Sequence, residues 1–425
     1  MQRPKRQNAR TAASGESHGN FHREGSVVPS QNLHHDLMQD AQDQLDQLRD
    51  AGLQMSRDND GHGRHHAAAP TFTQTNLVSD GFVPAQQTDP NLINPWGVSY
   101  SPTSPFWISD NGTGLASIYR LDGTGLTVNA IPPVTVAPAL PGGDPAAPTG
   151  QVFNTFQASG AFTLQDGAPA TFLFATEDGT ISGWNQAAGT QSIIAVNESL
   201  DPADGSEALG LGAVYKGLAI AQTNDGPALY AANFRHGTVD MFDQNFNETK
   251  SFTDSNLPSG YAPFNVQVLD NKLFVTFALQ DDTQHDDVAG AGNGFVDEFD
   301  LEGHLLHRVA SGGPLDSPWG MAIAPSSFGS LAGDLLVGNF GDGTIDAFDQ
   351  KNGKFDGQLL GSDGKPIAIP DLWELIPGNG TAAGDPNTIY FTAGVQNEAH
   401  GLFGSLAPDA TANPMAASSG HSPLG

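Results

Sequence analysis

From residue 70 to about 408, apolar residues come in short runs that alternate with polar ones or stay continuous. Gly, Pro, Asp or Asn breaks the pattern about every ten positions. The fullest example lies at 317–361. It opens with Ser317-Pro-Trp-Gly-Met-Ala-Ile-Ala-Pro325 and continues with Asp334-Leu-Leu-Val-Gly-Asn-Phe340. A Gly341-Asp-Gly343 turn then leads to Thr344-Ile-Asp-Ala-Phe-Asp349, and Phe355-Asp-Gly-Gln-Leu-Leu-Gly361 completes four runs. Runs this short, punctuated this way, predict antiparallel strands rather than helices. One such sheet cannot bury its own faces, so repeats of about 40–50 residues predict a ring of sheets, a propeller.

Weaker copies flank this unit. The first runs through Trp96–Pro102, Phe106–Asn111, Gly114–Tyr119 and Leu126–Ile131, and the second through Gly150–Asn154, Ala170–Thr176 and Thr180–Trp184. A third uses Tyr215–Ile220, Ala228–Phe234 and Gly237–Asp243. The fourth uses Ala262–Val268, Lys272–Ala278 and, after an acidic insertion, Phe295–Asp300. The sixth, Leu372–Leu375, Asn387–Ala393 and His400–Leu406, lacks a fourth strand. Thr71–Ser79 is the natural donor, because pairing the first and last strands closes the ring and removes an exposed edge. The expected fold is therefore all-β, a six-bladed β-propeller over residues 70–408. Residues 1–69 read as a mostly disordered extension with one amphipathic helix near 33–53, where Leu33, Leu37, Ala41, Leu45 and Leu48 share a face. Its histidines, His18, His22, His34, His35, His62, His65 and His66, read either as a plain tail or as a transition-metal tract. Residues 409–425 read as a disordered tail.

Composition sharpens this picture. Glycine (51) and proline (29) are abundant enough to supply many tight turns. Of 17 Lys+Arg and 47 Asp+Glu, residues 1–69 hold 8 and 9, leaving 9 and 38 for the repeats, so the net charge of −30 sits on the propeller. Such a surface repels phosphate backbones and anionic lipid, and the expected partners are a protein, a polysaccharide or a small molecule, not nucleic acid. No apolar run is long enough to span a bilayer. The first ten residues have the basic character of a signal peptide without an apolar stretch behind them. With no cysteine, thiolate chemistry is excluded.

In a four-strand blade, the turn between the second and third strands shares a face of the ring with the lead-in to the first strand. Around that face the sequence places Asp110 and Asn111, Glu177 and Asp178, Asn233 and His236, Asp281 and Asp282, Asn339 and Asp342, then Asn397, Glu398 and His400. Asn94, Lys216, Asn265 and Glu374 come from the lead-ins. The ligand-binding candidates are Asn111, Asp178, Asn233, His236, Asn339 and Glu398. Glu177, Asn233, Asn339 and Glu398 are the candidate metal ligands, since oxygen donors around a channel mouth suit calcium. Glu374, Glu398 and His400 are candidate catalytic groups. Bland readings stand beside these. Asp-Gly pairs are what tight turns require, and Asn233 and Asn339 can serve backbone bonding. Glu374 replaces the glycine found at 97 and 320. Buried, it would have a raised pKa; exposed at the channel mouth, it would be ordinary. No Gly-x-Ser-x-Gly elbow, Walker loop or dinucleotide fingerprint is present.

Six phrases, Asn94-Pro-Trp-Gly97, Pro148-Thr-Gly-Gln-Val-Phe-Asn154, Ala175-Thr-Glu-Asp-Gly-Thr-Ile-Ser-Gly-Trp184, Tyr215-Lys-Gly-Leu218, Leu336-Val-Gly-Asn-Phe-Gly-Asp-Gly343 and Ala399-His-Gly-Leu-Phe-Gly404, together resemble an uncharacterised bacterial family of six-bladed, TolB-like propellers. The resemblance covers roughly 72–408. It implies an extracellular or cell-surface protein, since members are often exported and some carry a PEP-CTERM sorting tail. More distantly the blades look like those of calcium-dependent lactonases and phosphotriesterases. Two functions follow as expectations: an extracytoplasmic binding propeller with an acidic channel-mouth face, or a calcium-dependent hydrolase of lactone or phosphoester bonds.

Overall fold

The inner apolar runs, such as Pro95–Ser99 and Phe172–Thr176, form strands because both their faces can be buried against neighbouring sheets, while outer ones such as Glu248–Phe252 stay exposed. The computed structural model describes residues 69–129, 131–200 and 212–409, so the helix expected near 33–53, the histidine tract and the C-terminal tail lie outside the described residues. Strands run from Thr71 to Pro408 and form six antiparallel blades. Blade 1 is Pro95–Ser99, Phe106–Asp110, Leu115–Asp122 and Gly125–Val128; blade 2 is Pro148–Phe153, Phe172–Thr176, Thr180–Trp184 and Ile193–Asn197. Blade 3 is Tyr215–Thr223, Gly226–Asn233, Thr238–Asp243 and Glu248–Phe252; blade 4 is Tyr261–Leu269, Lys272–Leu279, Phe295–Phe299 and Leu305–Ser311. Blade 5 is Pro318–Ile323, Leu335–Asn339, Ile345–Phe348 and Phe355–Gln358. Blade 6 takes Leu372–Pro377, Ile389–Ala393 and Leu402–Pro408 from the C-terminal end and Thr71–Ser79 from the N-terminal end, paired antiparallel from Phe72 opposite Pro408 to Ser79 opposite Leu402.

That closure leaves an apolar core between every pair of neighbouring sheets. Between blades 5 and 6, for example, Ala322, Leu336 and Ala347 meet Leu372, Phe391 and Leu406, and Phe72 of the closing strand joins them. Two details depart from the sequence expectation. Leu360–Gly361 leaves blade 5 and pairs parallel with Thr71–Phe72, so the run expected as one fourth strand splits in two. Val134–Thr135, in the proline-rich loop, adds a short pairing to Leu115–Ala116.

The innermost strands position the site. Each slips register by one residue against its second strand near its start: at Pro95/Val98, Pro148/Gln151, Tyr215/Gly217, Pro263/Asn265, Pro318/Met321 and Leu372/Leu375. A bulge of this kind bends the strand and re-aims its side chains. Here the re-aimed positions are Trp96, Thr149, Lys216, Phe264, Trp319 and Trp373, followed by Gly97, Gly150, Gly217, Asn265, Gly320 and Glu374. The glycines have a steric reason. A Cβ on Gly150 would lie 2.4 Å from the Leu218 nitrogen, and one on Gly320 would lie 2.2 Å from the Trp373 carbonyl oxygen.

Candidate functional site

Across the axis, the bulged residues build a plug. Trp96 stacks on Trp373 with ring centroids 3.5 Å apart, Phe340 stacks on Trp373 at 4.2 Å, and Trp319 meets both tryptophans edge-on at 5.9 and 5.7 Å. Phe264 and Phe234 complete the cluster. These aromatics separate two regions on one axis: a charged cluster on the face of the second-to-third-strand turns, and a largely apolar channel lined by the rest of the inner strands.

At the centre of the charged cluster stands Lys216, whose side chain is 2% exposed and whose ammonium lies 5.0 Å from the Trp96 ring centre. Its Nζ donates to Glu177 Oε1 at 2.5 Å and sits 3.5 Å from Asp286 Oδ1. Glu177 Oε2 accepts from Asn111 Nδ2 at 2.9 Å. Asn94 Nδ2 donates to Glu398 Oε2 at 2.8 Å, while Asn94 Oδ1 accepts from the Trp373 indole at 3.0 Å, which ties the cluster to the plug. His285 Nδ1 lies 2.9 Å from Asp286 Oδ1. Blades 1, 2, 3, 4 and 6 thus each send polar side chains to one place.

Burial works against charge here, and pairing reverses it. Burial alone would push the Glu177 carboxyl up, but the Lys216 ammonium, aided by His285, holds it below the usual range. Burial likewise opposes the charged form of Lys216, and Glu177 and Asp286 override it, raising its pKa. His285 is raised by its bond to Asp286, and the largely exposed Asp286 is held well down by His285 and Lys216. Glu398 has no cation of its own. Desolvation of its carboxyl, then the nearby Glu177 carboxylate, pushes it up to about 7. Glu398 ends a left-handed turn in which Gln396, Asn397 and Glu398 have φ of 62°, 54° and 63°. That backbone costs a non-glycine residue about 1 kcal/mol or more per position.

The expected site residues divide accordingly. Asn111, Glu177 and Glu398 meet at the axis. Asn233 and Asn339 do not join them, being buried and bonded within their own blades. Asn233 donates to Asp240 Oδ2 at 2.7 Å and accepts from the Val214 N–H; Asn339 donates to Asp346 Oδ2 at 2.8 Å and accepts from the Asp316 N–H. His236 lies exposed beside Asn233, its Nδ1 3.1 Å from Asn233 Nδ2. Asp178, just ahead of the left-handed Gly179, accepts from the Ala147 N–H of the lead-in to its own blade, whereas Asp342 accepts from the Thr344 N–H two residues on, a bond local to the turn. His400 bonds Asp80 at 2.6 Å and carries Phe82 stacked on its ring at 4.0 Å, at the rim beside Asn94. Glu374 lies on the other side of the plug, 5% exposed, and burial pushes it to about 8. His285 and Asp286 come from the acidic insertion after Leu279, where the sequence singled out Asp281 and Asp282 instead.

Glu177, His285 and Asp286 bring oxygen and nitrogen donors within 4.8 Å of one another, the one such grouping of three among the described residues. That donor set suits a cation, but the Lys216 ammonium already lies against two of the three.

No family model matches the chain. Among solved structures, virginiamycin B lyase from Staphylococcus aureus is 12% identical, with 79% of this chain and 99% of that chain covered and a TM-score of 0.41. The WD40 propeller domain of Doa1 is 10% identical, with 80% and 98% covered and a TM-score of 0.43. The sequence relatives are viral where the motif likeness pointed to bacteria. Uncharacterized protein L690 of Acanthamoeba polyphaga mimivirus is 32% identical over 353 residues, 80% of this chain and 87% of its own length. With 33% identity over 353 residues, 80% of its length and 82% of the relative's, this protein belongs to the same family as uncharacterized protein R648 of that virus.

Proposed function

We propose that the protein is a binding propeller whose ligand, a neutral polyhydroxylated chain such as a polysaccharide, sits over the Lys216 cluster. The supporting observation is the convergence of polar side chains from five blades onto a floor that the aromatic plug closes. The Asn111 amide and the Glu177, Asp286 and Glu398 carboxylates, none of them fully buried, supply the mixture of donor and acceptors that hydroxyl groups need, with buried Lys216 and Asn94 holding them in place. At the rim, Phe82 is 49% exposed and stacked on His400, offering a flat apolar face beside them. The strained turn that carries Glu398 fits a loop retained for binding.

A net charge of −30 disfavours nucleic acid and anionic membranes as partners. No helix among the described residues is long and apolar enough to cross a membrane. The likeness to exported TolB-like propellers supports a site of action outside the cell or at its surface.

A second reading, a calcium-dependent hydrolase, draws on the Glu177, His285 and Asp286 grouping. Calcium there would have to displace an ammonium held by charge-assisted contacts, and calcium takes about six to eight oxygens. For that reason binding is preferred. Affinity electrophoresis through gels containing soluble neutral polysaccharides tests it. At least one should retard the protein, and Asn111→Ala with Glu398→Ala should abolish the retardation. Migration unaffected by every polysaccharide, or retardation that survives both substitutions, would overturn the assignment.

A further inference from the structure

Below the plug the inner strands enclose a second cavity of about 390 Å³, lined near its far end by Tyr100, Pro102, Thr155, Leu269 and Pro377. Its walls are apolar, with Val98, Leu218, Ile220, Met321 and Ile376 among them. Glu374 reaches it from the position that four blades fill with glycine. Glu374 Oε1 accepts from Gln267 Nε2 at 2.6 Å and from the Leu375 N–H at 3.0 Å, whereas Oε2 has only a 3.5 Å contact from the Val98 N–H. Three other lining side chains are short of partners. Ser99 Oγ, Gln267 Oε1 and Gln151 Oε1 are buried without a hydrogen bond. The Gln151 amide orientation is fixed, because its Nε2 donates to the carbonyls of Gly97 and Trp107.

A buried acceptor with no donor costs about 1–3 kcal/mol, so several around one cavity point to a ligand rich in donors. The lining contains no Lys, Arg or His, and Tyr100 is its only titratable group besides Glu374. A cation entering this channel therefore meets one carboxyl, neutral acceptors and apolar walls, within a strongly negative protein.

We propose that this channel is a second binding site, for a small primary amine with an apolar tail, with Glu374 as the partner of its ammonium group. An ammonium carries three N–H donors and no acceptor, which matches a surplus of acceptors. The tail lies along the aliphatic walls, where each buried CH₂ contributes about 0.8 kcal/mol. Empty, the channel keeps Glu374 protonated at neutral pH, since burial raises it to about 8. Binding an ammonium there releases that proton to solvent, so affinity rises with pH by roughly tenfold per unit below the Glu374 pKa and levels off above it.

Titration calorimetry of the full chain with cyclohexylamine, and with cyclohexanol as the isosteric neutral control, tests this. The amine should bind at least about tenfold more tightly than the alcohol, with proton release, and tighten between about pH 6 and pH 8. Glu374→Gln should remove that preference and the pH dependence together. Ile220→Trp, which fills the channel without touching the polar end, should block the amine even if Glu374→Gln folds poorly. Equal binding of alcohol and amine, affinity flat across that pH range, or no binding of either compound would each overturn the proposal. Polysaccharide binding at the opposite face should be unchanged in both variants.

Discussion

The two ends of the axis use the same six inner strands and reach opposite electrostatic solutions. On the turn face, Lys216 lies at the bulge with Glu177 and Asp286 against it, and burial is offset by opposite charge. Past the plug, Glu374 lies one position further along its own strand with no cation among the residues that line its cavity, and burial prevails, leaving a neutral acid. The lesson is that depth alone does not set the state of a propeller's axial groups. What matters is whether a neighbouring blade supplies the counter-charge. A ring allows both outcomes within one residue of each other because successive inner-strand positions contact different neighbours.

Breaking the ring itself should have the largest effect. Deleting 71–79 removes the closing strand, including buried Phe72, Leu77 and Val78, and should cost at least about 5 kcal/mol in denaturant unfolding. Next in size, Lys216→Met strands carboxylates at the turn face and should cost about 3–5 kcal/mol. Adding Glu177→Gln should restore most of that loss, and a double-mutant cycle would measure the coupling. Additive losses would show that the pair is not coupled.

Asn339→Ala should cost about 1–3 kcal/mol, because it leaves the buried Asp316 N–H without its partner and the Asp346 carboxylate with only its bond from Gln358, yet it should not alter ligand retardation. Glu398→Gln should do the reverse, with stability little changed and retardation lost.

The smallest effect concerns pH. Glu374 has a folded pKa of about 8, above the ordinary carboxyl value, so its contribution to stability is greatest below about pH 4.5 and declines as pH rises toward 8. Replacing it with Gln should flatten the fall in Tm over that window. A Tm profile identical to that of the wild type would show that Glu374 is already ionised in the folded protein.

How far all this was legible in the sequence depended on whether the signal was local. Strands and turns are local, and blade 6 advertised its missing fourth strand, so the closing role of Thr71–Ser79 followed from the pattern. The axial cluster is not local: Glu398 and Asn94 lie 304 residues apart. Asn111, Glu177 and Glu398 were reachable only because the turn face can be reasoned out from blade topology. His285 and Asp286 escaped because the insertion carries no register that says which of its side chains turn inward. For Asn233 and Asn339 a signal was present. Each is followed five residues later by Thr and seven later by Asp, Thr238 and Asp240 or Thr344 and Asp346, and that spacing places the trio across one hairpin. A repeat shared by two blades in this way reads as a brace within each hairpin, not as a site that a single ligand would use.

The central claim is that Lys216 fills the place a metal would take at the turn-face axis. Thermal unfolding in excess calcium and in EDTA tests it most directly. The account predicts the same Tm in both for the native chain, and a calcium-dependent rise only in Lys216→Met, where Glu177, His285 and Asp286 are freed. A calcium-dependent rise in the native chain would contradict it.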